Sequence, residues 1–328
     1  MPQEKNLSGG ADPRLRHKLN IFITGITGQL GYDCARELLR RGHAVIGAGG
    51  RACGEGTIPI ARQGAGTSIP YIQLDITDEK AVVDTIETIR PDVILHCAAW
   101  TAVDAAEEAE NRAKVDAVNH LGTRYIAEAA ESVGAKLVYI STDYVFGGGG
   151  TQPWKPDDDH FAPLNVYGRS KLDGELAVRA LVKRAFIVRI AWVFGANGKN
   201  FVKTMLRVGK THEAVRVVDD QVGTPTYTAD LARLLADMIE TEKYGTYHAT
   251  NEGGYISWAD FAEEIYRQAG MKVFVERVTT AEYGLSKAAR PFNSRLDKTK
   301  LIKAGFEPLP DWRDALHRYL VEIGEIER

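Results

Sequence analysis

The chain is poor in sulfur, with 3 cysteines and 4 methionines among 328 residues. Cys34, Cys53 and Cys97 cannot all pair, and they show no Cys-x-x-Cys spacing. A disulfide framework and a zinc ribbon are both excluded, and thiols set among apolar residues suit a reducing cytoplasm. Charge is also nearly balanced, at a net −3, so no basic field marks a general nucleic-acid binder. No apolar run approaches the roughly 20 residues that span a bilayer, and no membrane partner is expected. His96, His160 and His212 lie scattered, with no HExxH and no Cys/His cluster, so no metal is expected. Residues 1–18, MPQEKNLSGGADPRLRHK, are polar and lack an apolar signal core; a disordered extension is expected there.

What the chain does have is 44 % apolar residues, ample for a core, arranged as short apolar runs alternating with amphipathic segments. LNIFIT (19–24), AVIG (44–47), YIQLD (71–75), DVILHCAA (92–99), KLVYIS (136–141) and AFIVRI (185–190) read as strands. Several are apolar without alternation, as strands covered on both faces must be. Between them, LGYDCARELLRRG and DEKAVVDTIETIR carry helical periodicity, the second with Asp78 as a plausible N-cap. The pattern predicts an α/β fold: a doubly wound parallel sheet of Rossmann type with a second, smaller substrate-binding domain. Residues 19–192 are expected to form the dinucleotide-binding domain, with a return segment near 221–250. Residues 193–220 and 251–328 are left for the substrate domain.

The first strand runs into TGITGQLG. Gly25, Gly28 and Gly31 sit at the strand-to-helix turn, where missing side chains let backbone approach a pyrophosphate and a helix N-terminus meet its charge. Gln29 and Leu30, between those glycines, are cofactor candidates with them. With 32 glycines in the chain, position after the first strand carries the argument, not the triplet alone. The second strand ends GAGGR, so Gly49 stands where an NAD-preferring site places an acid. Arg51 is suited instead to a ribose phosphate, which favours NADPH and leaves NADH possible. Ala98, Ala99 and Thr101 close the fourth strand, where small side chains would let the cofactor ribose approach.

NVYGRSK (165–171) stacks Tyr167 and Lys171 on one helix face, and the cation can make the phenol more acidic. A phenol is otherwise a poor acid near neutrality, with a pKa of about 10. A second pair at this spacing, Tyr283 and Lys287, follows the sheet and has no matching strand end, which predicts a decoy. Arg290 and Arg295, in RPFNSRL, offer bidentate contacts to a pyrophosphate. The glycine run 147–150 reads as a flexible connection, a candidate lid.

From residue 19 onward the chain resembles the extended short-chain dehydrogenase/reductase family, and within it the reductases of nucleotide-linked 4-keto-6-deoxysugars. The resemblance rests on TGITGQLG, HCAAWTAVDAAE, Val118–Asn119, YISTDYVF, YGRSK, IAWVFG, GKNFVKTM, DQVGTPTY and RPFNSRL. It implies Tyr167 as proton donor, Lys171 on the nicotinamide ribose, Thr142 on the reacting oxygen, and Asp143 and Trp192 on a dTDP-linked sugar. It also implies adenine contacts from Asp75 and Ile76, and a helix kink with a proton relay at Asn119. Dehydratases of this family place Asp then Glu after the catalytic Thr; here Asp143 is followed by Tyr144, which argues against dehydration. A nucleotide-sugar epimerase or a related deoxysugar ketoreductase, such as one of the dihydrostreptose type, is the alternative. A non-catalytic homologue would have no need for intact Thr142, Tyr167 and Lys171. A homodimer is left open.

Overall fold

The computed structural model describes residues 18–53, 56–62 and 65–327. Except for Lys18, the extension expected at 1–18 lies outside the described residues. Seven strands open the fold: β1 (Asn20–Thr24), β2 (Ala44–Gly49), β3 (Thr57–Arg62), β4 (Ala65–Gln73), β5 (Val93–His96), β6 (Lys136–Thr142) and β7 (Ala185–Ile190). With the later strand Gly245–His248 they form one sheet among the described residues. Its order is Gly245–His248, β7, β6, β5, β1, β2, β4, β3. All pairings are parallel except β3 with β4, which is antiparallel. This is the doubly wound sheet expected from the apolar runs. The antiparallel edge strand β3 and the strand at 245–248 lie outside the apolar runs singled out in the sequence.

Period-two alternation explains how one sheet serves two cores. Ile21, Ile23, Val93, Leu95, Val138, Phe186 and Val188 join one apolar cluster, while Phe22, Ile94, Leu137, Tyr139 and Ile187 join the other. Helices α1 (Gln29–Arg40), α2 (Glu79–Ile89), α3 (Val103–Ala106), α4 (Ala109–Asp116), α5 (Gly122–Val133) and α6 (Val166–Leu181) make the crossovers. Asp78 caps α2 by accepting from Ala81 N, and Asn165 caps α6 by accepting from Gly168 N at 2.7 Å. Leu30 and Leu38 of α1 share their cluster with Leu231 and Leu235 of the helix Thr228–Ile239, which lies in the expected return segment. Between α4 and α5 the helix widens into a π turn, Ala117–Leu121.

The remainder of the chain gathers a separate cluster around Phe194, Leu206, Phe261, Trp312 and Tyr319. Its strands are short pairs such as Ala214–Val218 with Phe274–Val278. The glycine run 147–150 is tied down: Asn293 N donates to Gly148 O at 2.9 Å, and Asn293 Nδ2 to Gly149 O at 3.2 Å.

Candidate active site

The carboxyl ends of β1, β2, β5 and β6 open onto one cavity of about 1220 Å³, closed on one side by α6. That exceeds the space a drug-sized ligand takes, and suits a dinucleotide beside a second substrate. Its floor is the glycine turn. Gly25 has φ +67°, and a Cβ there would lie 2.6 Å from Ala98 N, so the turn presses backbone on backbone. A Cβ on Gly31 would meet Gly25 O at 2.5 Å. Gly28, at an ordinary φ of −77°, begins α1 with no side-chain cap and no acid in the first turn. Unsatisfied N–H groups of a 12-residue helix therefore face the cavity edge, a site ready for an anionic pyrophosphate.

The cavity wall then collects the expected cofactor residues. Gln29 and Leu30 follow the turn, Arg51 lies beyond β2, Asp75 and Ile76 lie beyond β4, and Ala98, Ala99 and Thr101 lie beyond β5. Exposed Arg51 makes no ion pair among the described residues, and its carbonyl accepts from Tyr71 Oη at 2.7 Å. Asp75 Oδ1 accepts from Thr77 N at 3.0 Å and Thr77 Oγ1 at 2.8 Å, while Asp78 caps the helix. Asn119 is buried at the π turn; its Oδ1 accepts from Trp100 N at 2.8 Å, and its Nδ2 donates to Trp100 O and to Ser170 Oγ. The kink implied by the resemblance and a fully satisfied amide thus coexist.

Thr142, Asp143, Tyr167, Lys171 and Trp192 meet on the wall opposite the glycine turn. Thr142 Oγ1 donates to Asp143 Oδ1 at 2.9 Å and accepts from Tyr144 N at 3.2 Å. Burial pushes the Asp143 carboxyl up to about 6, against the Ser294 and Thr142 hydroxyls beside it, and its Oδ2 makes no hydrogen bond among the described residues. Enclosure, and then the Asp143 carboxyl, push the Tyr167 phenol well above its usual range, with the Thr142 hydroxyl opposing. Lys171 Nζ lies 4.1 Å from the centre of the Tyr139 ring, and burial brings the ammonium down to about 7. The ammonium thus sits over the Tyr139 ring, while burial, Asp143 and Thr142 set the proton affinity of the Tyr167 phenol. Trp192 holds a left-handed φ of +51° and stacks on Trp258, with ring centres 3.8 Å apart. Such strain in a non-glycine residue costs on the order of 1–3 kcal/mol and persists where surroundings enforce it.

Arg290 lines the cavity and donates to Asp104 Oδ2 at 2.7 Å. Arg295 does not reach it; its Nη1 donates to Asn293 Oδ1 at 3.0 Å, and its guanidinium lies over Tyr255. Tyr283 and Lys287 are also elsewhere, with Lys287 paired to Glu108. Sequence reasoning missed Lys114, Lys199 and Trp258, which line the cavity as well. The GKN of GKNFVKTM carried Lys199 in plain view, but nothing local placed it beside the glycine turn. The structure brings it there because Asn200 Nδ2 donates to Gln29 Oε1 at 3.0 Å.

A Rossmann sheet whose strand ends gather a glycine turn and a Thr/Tyr/Lys cluster defines a dinucleotide-dependent oxidoreductase of the extended short-chain dehydrogenase/reductase class. Known proteins narrow this. The family described as RmlD substrate binding domain matches residues 19–324, and the chain belongs to that family. It is 42 % identical to a dTDP-4-dehydrorhamnose reductase of Streptomyces griseus, over 90 % of this chain and 91 % of that one. It is 37 % identical to the spore coat polysaccharide biosynthesis protein SpsK of Bacillus subtilis, covering 92 % and 97 %. The crystal structure of a dTDP-4-dehydrorhamnose reductase from Bacillus anthracis in complex with NADP superposes with a TM-score of 0.82 at 40 % identity, covering 93 % of this chain and all of that one. Among the described residues, no helix is long and apolar enough to cross a membrane, and no three His, Cys, Asp or Glu residues group to hold a metal ion.

Proposed function

We propose that the chain reduces the 4-keto group of dTDP-4-dehydro-L-rhamnose (dTDP-6-deoxy-L-lyxo-4-hexulose) to dTDP-L-rhamnose, with NADPH as reductant. The observation that carries this reading is the meeting of Thr142, Tyr167 and Lys171 with the glycine turn in one cavity, in a chain of this family. NADPH supplies a hydride to the ketone carbon. The carbonyl oxygen then needs a proton, and Tyr167, the phenol on this wall, is the donor we assign. Its high proton affinity among the protein's own groups keeps it protonated until the ketone is in place. Thr142 orients the oxygen through its hydroxyl, and Asp143 Oδ2 is left to accept from a sugar hydroxyl.

Gly25, Gly28, Gln29, Leu30 and Gly31 hold the pyrophosphate against α1, Asp75 and Ile76 meet the adenine, and Ala98, Ala99 and Thr101 leave room for the ribose. Lys171 binds the nicotinamide ribose; Arg51 selects NADPH over NADH by pairing with its ribose phosphate. Trp192 flanks the sugar, and Arg290, already half-buried beside the cavity, is placed for the nucleotide pyrophosphate. We assign residues 19–192 with 221–250 to cofactor binding, and 193–220 with 251–328 to the sugar nucleotide. The three free thiols favour a reducing cytoplasm. A homodimer is a question for sedimentation equilibrium. The test is incubation of the protein with dTDP-6-deoxy-L-lyxo-4-hexulose and NADPH, following absorbance and identifying the sugar by NMR. Loss of NADPH with formation of dTDP-L-rhamnose is expected. A different deoxysugar would redirect the substrate, and sugar isomerised with no net cofactor use would make the protein an epimerase.

A further inference from the structure

Behind the catalytic turn lies an ion pair that the reduction itself does not use. Glu175, one helical turn after Lys171 on α6, and Arg189 on β7 are both fully buried. Arg189 Nη2 donates to Glu175 Oε1 at 2.6 Å, and Arg189 Nε to Oε2 at 3.0 Å. Arg179 Nη2 adds a bond to Oε1 at 2.9 Å, and Ser141 Oγ donates to Oε2 at 2.7 Å. On its far side Arg189 Nη1 reaches Pro156 O at 3.2 Å and His248 Nε2 at 3.3 Å. Burial works against the carboxylate, but Arg189 overcomes it and holds Glu175 below the ordinary range, so it is ionised. Taking both charges out of water costs several kcal/mol per ion, and apolar side chains of similar size often serve stability as well. Stability alone therefore gives little reason for the pair.

The groups facing Lys171 supply a reason. Tyr167 and Glu175 share its helix, His96 and Cys97 approach from the end of β5, and the Tyr139 ring lies beneath it on β6. His96 is neutral, held down to about 3 by burial and by Lys171 itself; the Tyr139 and Tyr167 phenols are held protonated. Glu175 is the ionised acid of this set, and it leads the groups that oppose the effect of burial on Lys171. Building on the role proposed above for Lys171, we propose that Glu175 is a positioning residue. Its carboxylate, clamped by Arg189, Arg179 and Ser141, stabilises the Lys171 ammonium one turn away and locks that turn of α6 against β6 and β7. The clamp explains why the acid is paired so heavily. A carboxylate free to swing would bond Lys171 directly and draw it from the cofactor.

The test is NADPH affinity of the full chain, read by fluorescence from pH 5.5 to 9. Wild-type affinity should weaken as pH rises through about 7, where Lys171 loses its proton, and Lys171→Met should abolish that dependence. Glu175→Gln should move the midpoint down by about one pH unit, leaving affinity little changed at pH 5.5 and about tenfold weaker at pH 8. In the Lys171→Met background Glu175→Gln should shift nothing further. A midpoint unchanged in Glu175→Gln overturns the inference while the role of Lys171 stands. Should Lys171→Met bind NADPH with wild-type affinity and pH dependence, the role of Lys171 falls first and takes the inference with it. If circular dichroism shows Glu175→Gln unfolded, Glu175→Met with Arg189→Met removes the pair; because the Arg189 cation leaves as well, a smaller downward shift of the midpoint is expected, and an unchanged midpoint overturns the inference. Failure of both variants to fold would make the pair purely a part of the core and overturn the inference.

Discussion

Two tyrosine–lysine pairs share a spacing of four residues and almost nothing else. In the first, Lys171 is 3 % exposed and lies on a helix that faces the ends of β5 and β6; in the second, the Lys287 side chain is 66 % exposed and paired with Glu108 on the surface. Both tyrosines are half-buried, so exposure of the phenol does not separate them. What separates them is the buried ammonium, the neighbouring Thr142 and Asp143, and a strand end that delivers them to one cavity. On the function proposed above, chemistry is conferred by the sheet, and the four-residue spacing only makes it possible.

The sharpest way to break this contrast is to remove the two phenols separately. Tyr167→Phe should lower kcat by about 10²–10⁴-fold with circular dichroism unchanged, whereas Tyr283→Phe should leave steady-state rates within about twofold. Equal losses from both would erase the distinction. Burial can be tested next, through Asp143. Its folded value, raised to about 6 from 3.8, means that the folded protein binds the extra proton between those pH values. The stability it contributes is thus present below pH 3.8 and lost as pH rises through about 6, worth roughly 2–3 kcal/mol. Urea denaturation should show Asp143→Asn more stable than wild type at pH 7 and the difference gone at pH 4. A smaller effect is expected from Arg51→Ala: KM for NADPH should rise about tenfold while KM for NADH stays near wild type, since one charge-assisted pair is lost. An equal rise for both cofactors would remove Arg51 from the choice between them. Smallest of all, Lys287→Met should change neither kcat nor KM measurably and should cost at most about 1 kcal/mol, as exposed ion pairs do.

Much of this site was legible because its signals are local. The glycine turn needs three glycines within seven residues after an apolar run, and the turn proposed to be catalytic needs one helix face. Both survive in a linear reading, as do the strands from β1 to β7 that are apolar throughout. The edge strand β3, TIPIAR, has only a short apolar run interrupted by Pro59, and its antiparallel pairing with β4 leaves no signal in that run. The strand Gly245–His248, GTYH, is short and ends in a histidine; its pairing with β7 buries that histidine beside Arg189 and the Phe146 ring, which a linear reading does not show. Glu175 has the same difficulty. On a helix a Glu beside Lys and Arg reads as a solvated face, and only the crossing of α6 over β6 and β7 buries it. Arg295 shows the reverse error: a plausible phosphate ligand by type, drawn away by Asn293 and the Tyr255 ring.

The face-to-face indoles of Trp192 and Trp258 have an optical consequence. One is fixed by a strained backbone just past β7, and the other opens the helix Trp258–Gln268. The strong transition dipoles of indoles this close are expected to couple as an exciton, giving a paired band in the far-ultraviolet circular dichroism that should collapse when the rings part. A sugar settling against Trp192 would be visible in that band without any label, in the same cuvette that follows the coenzyme.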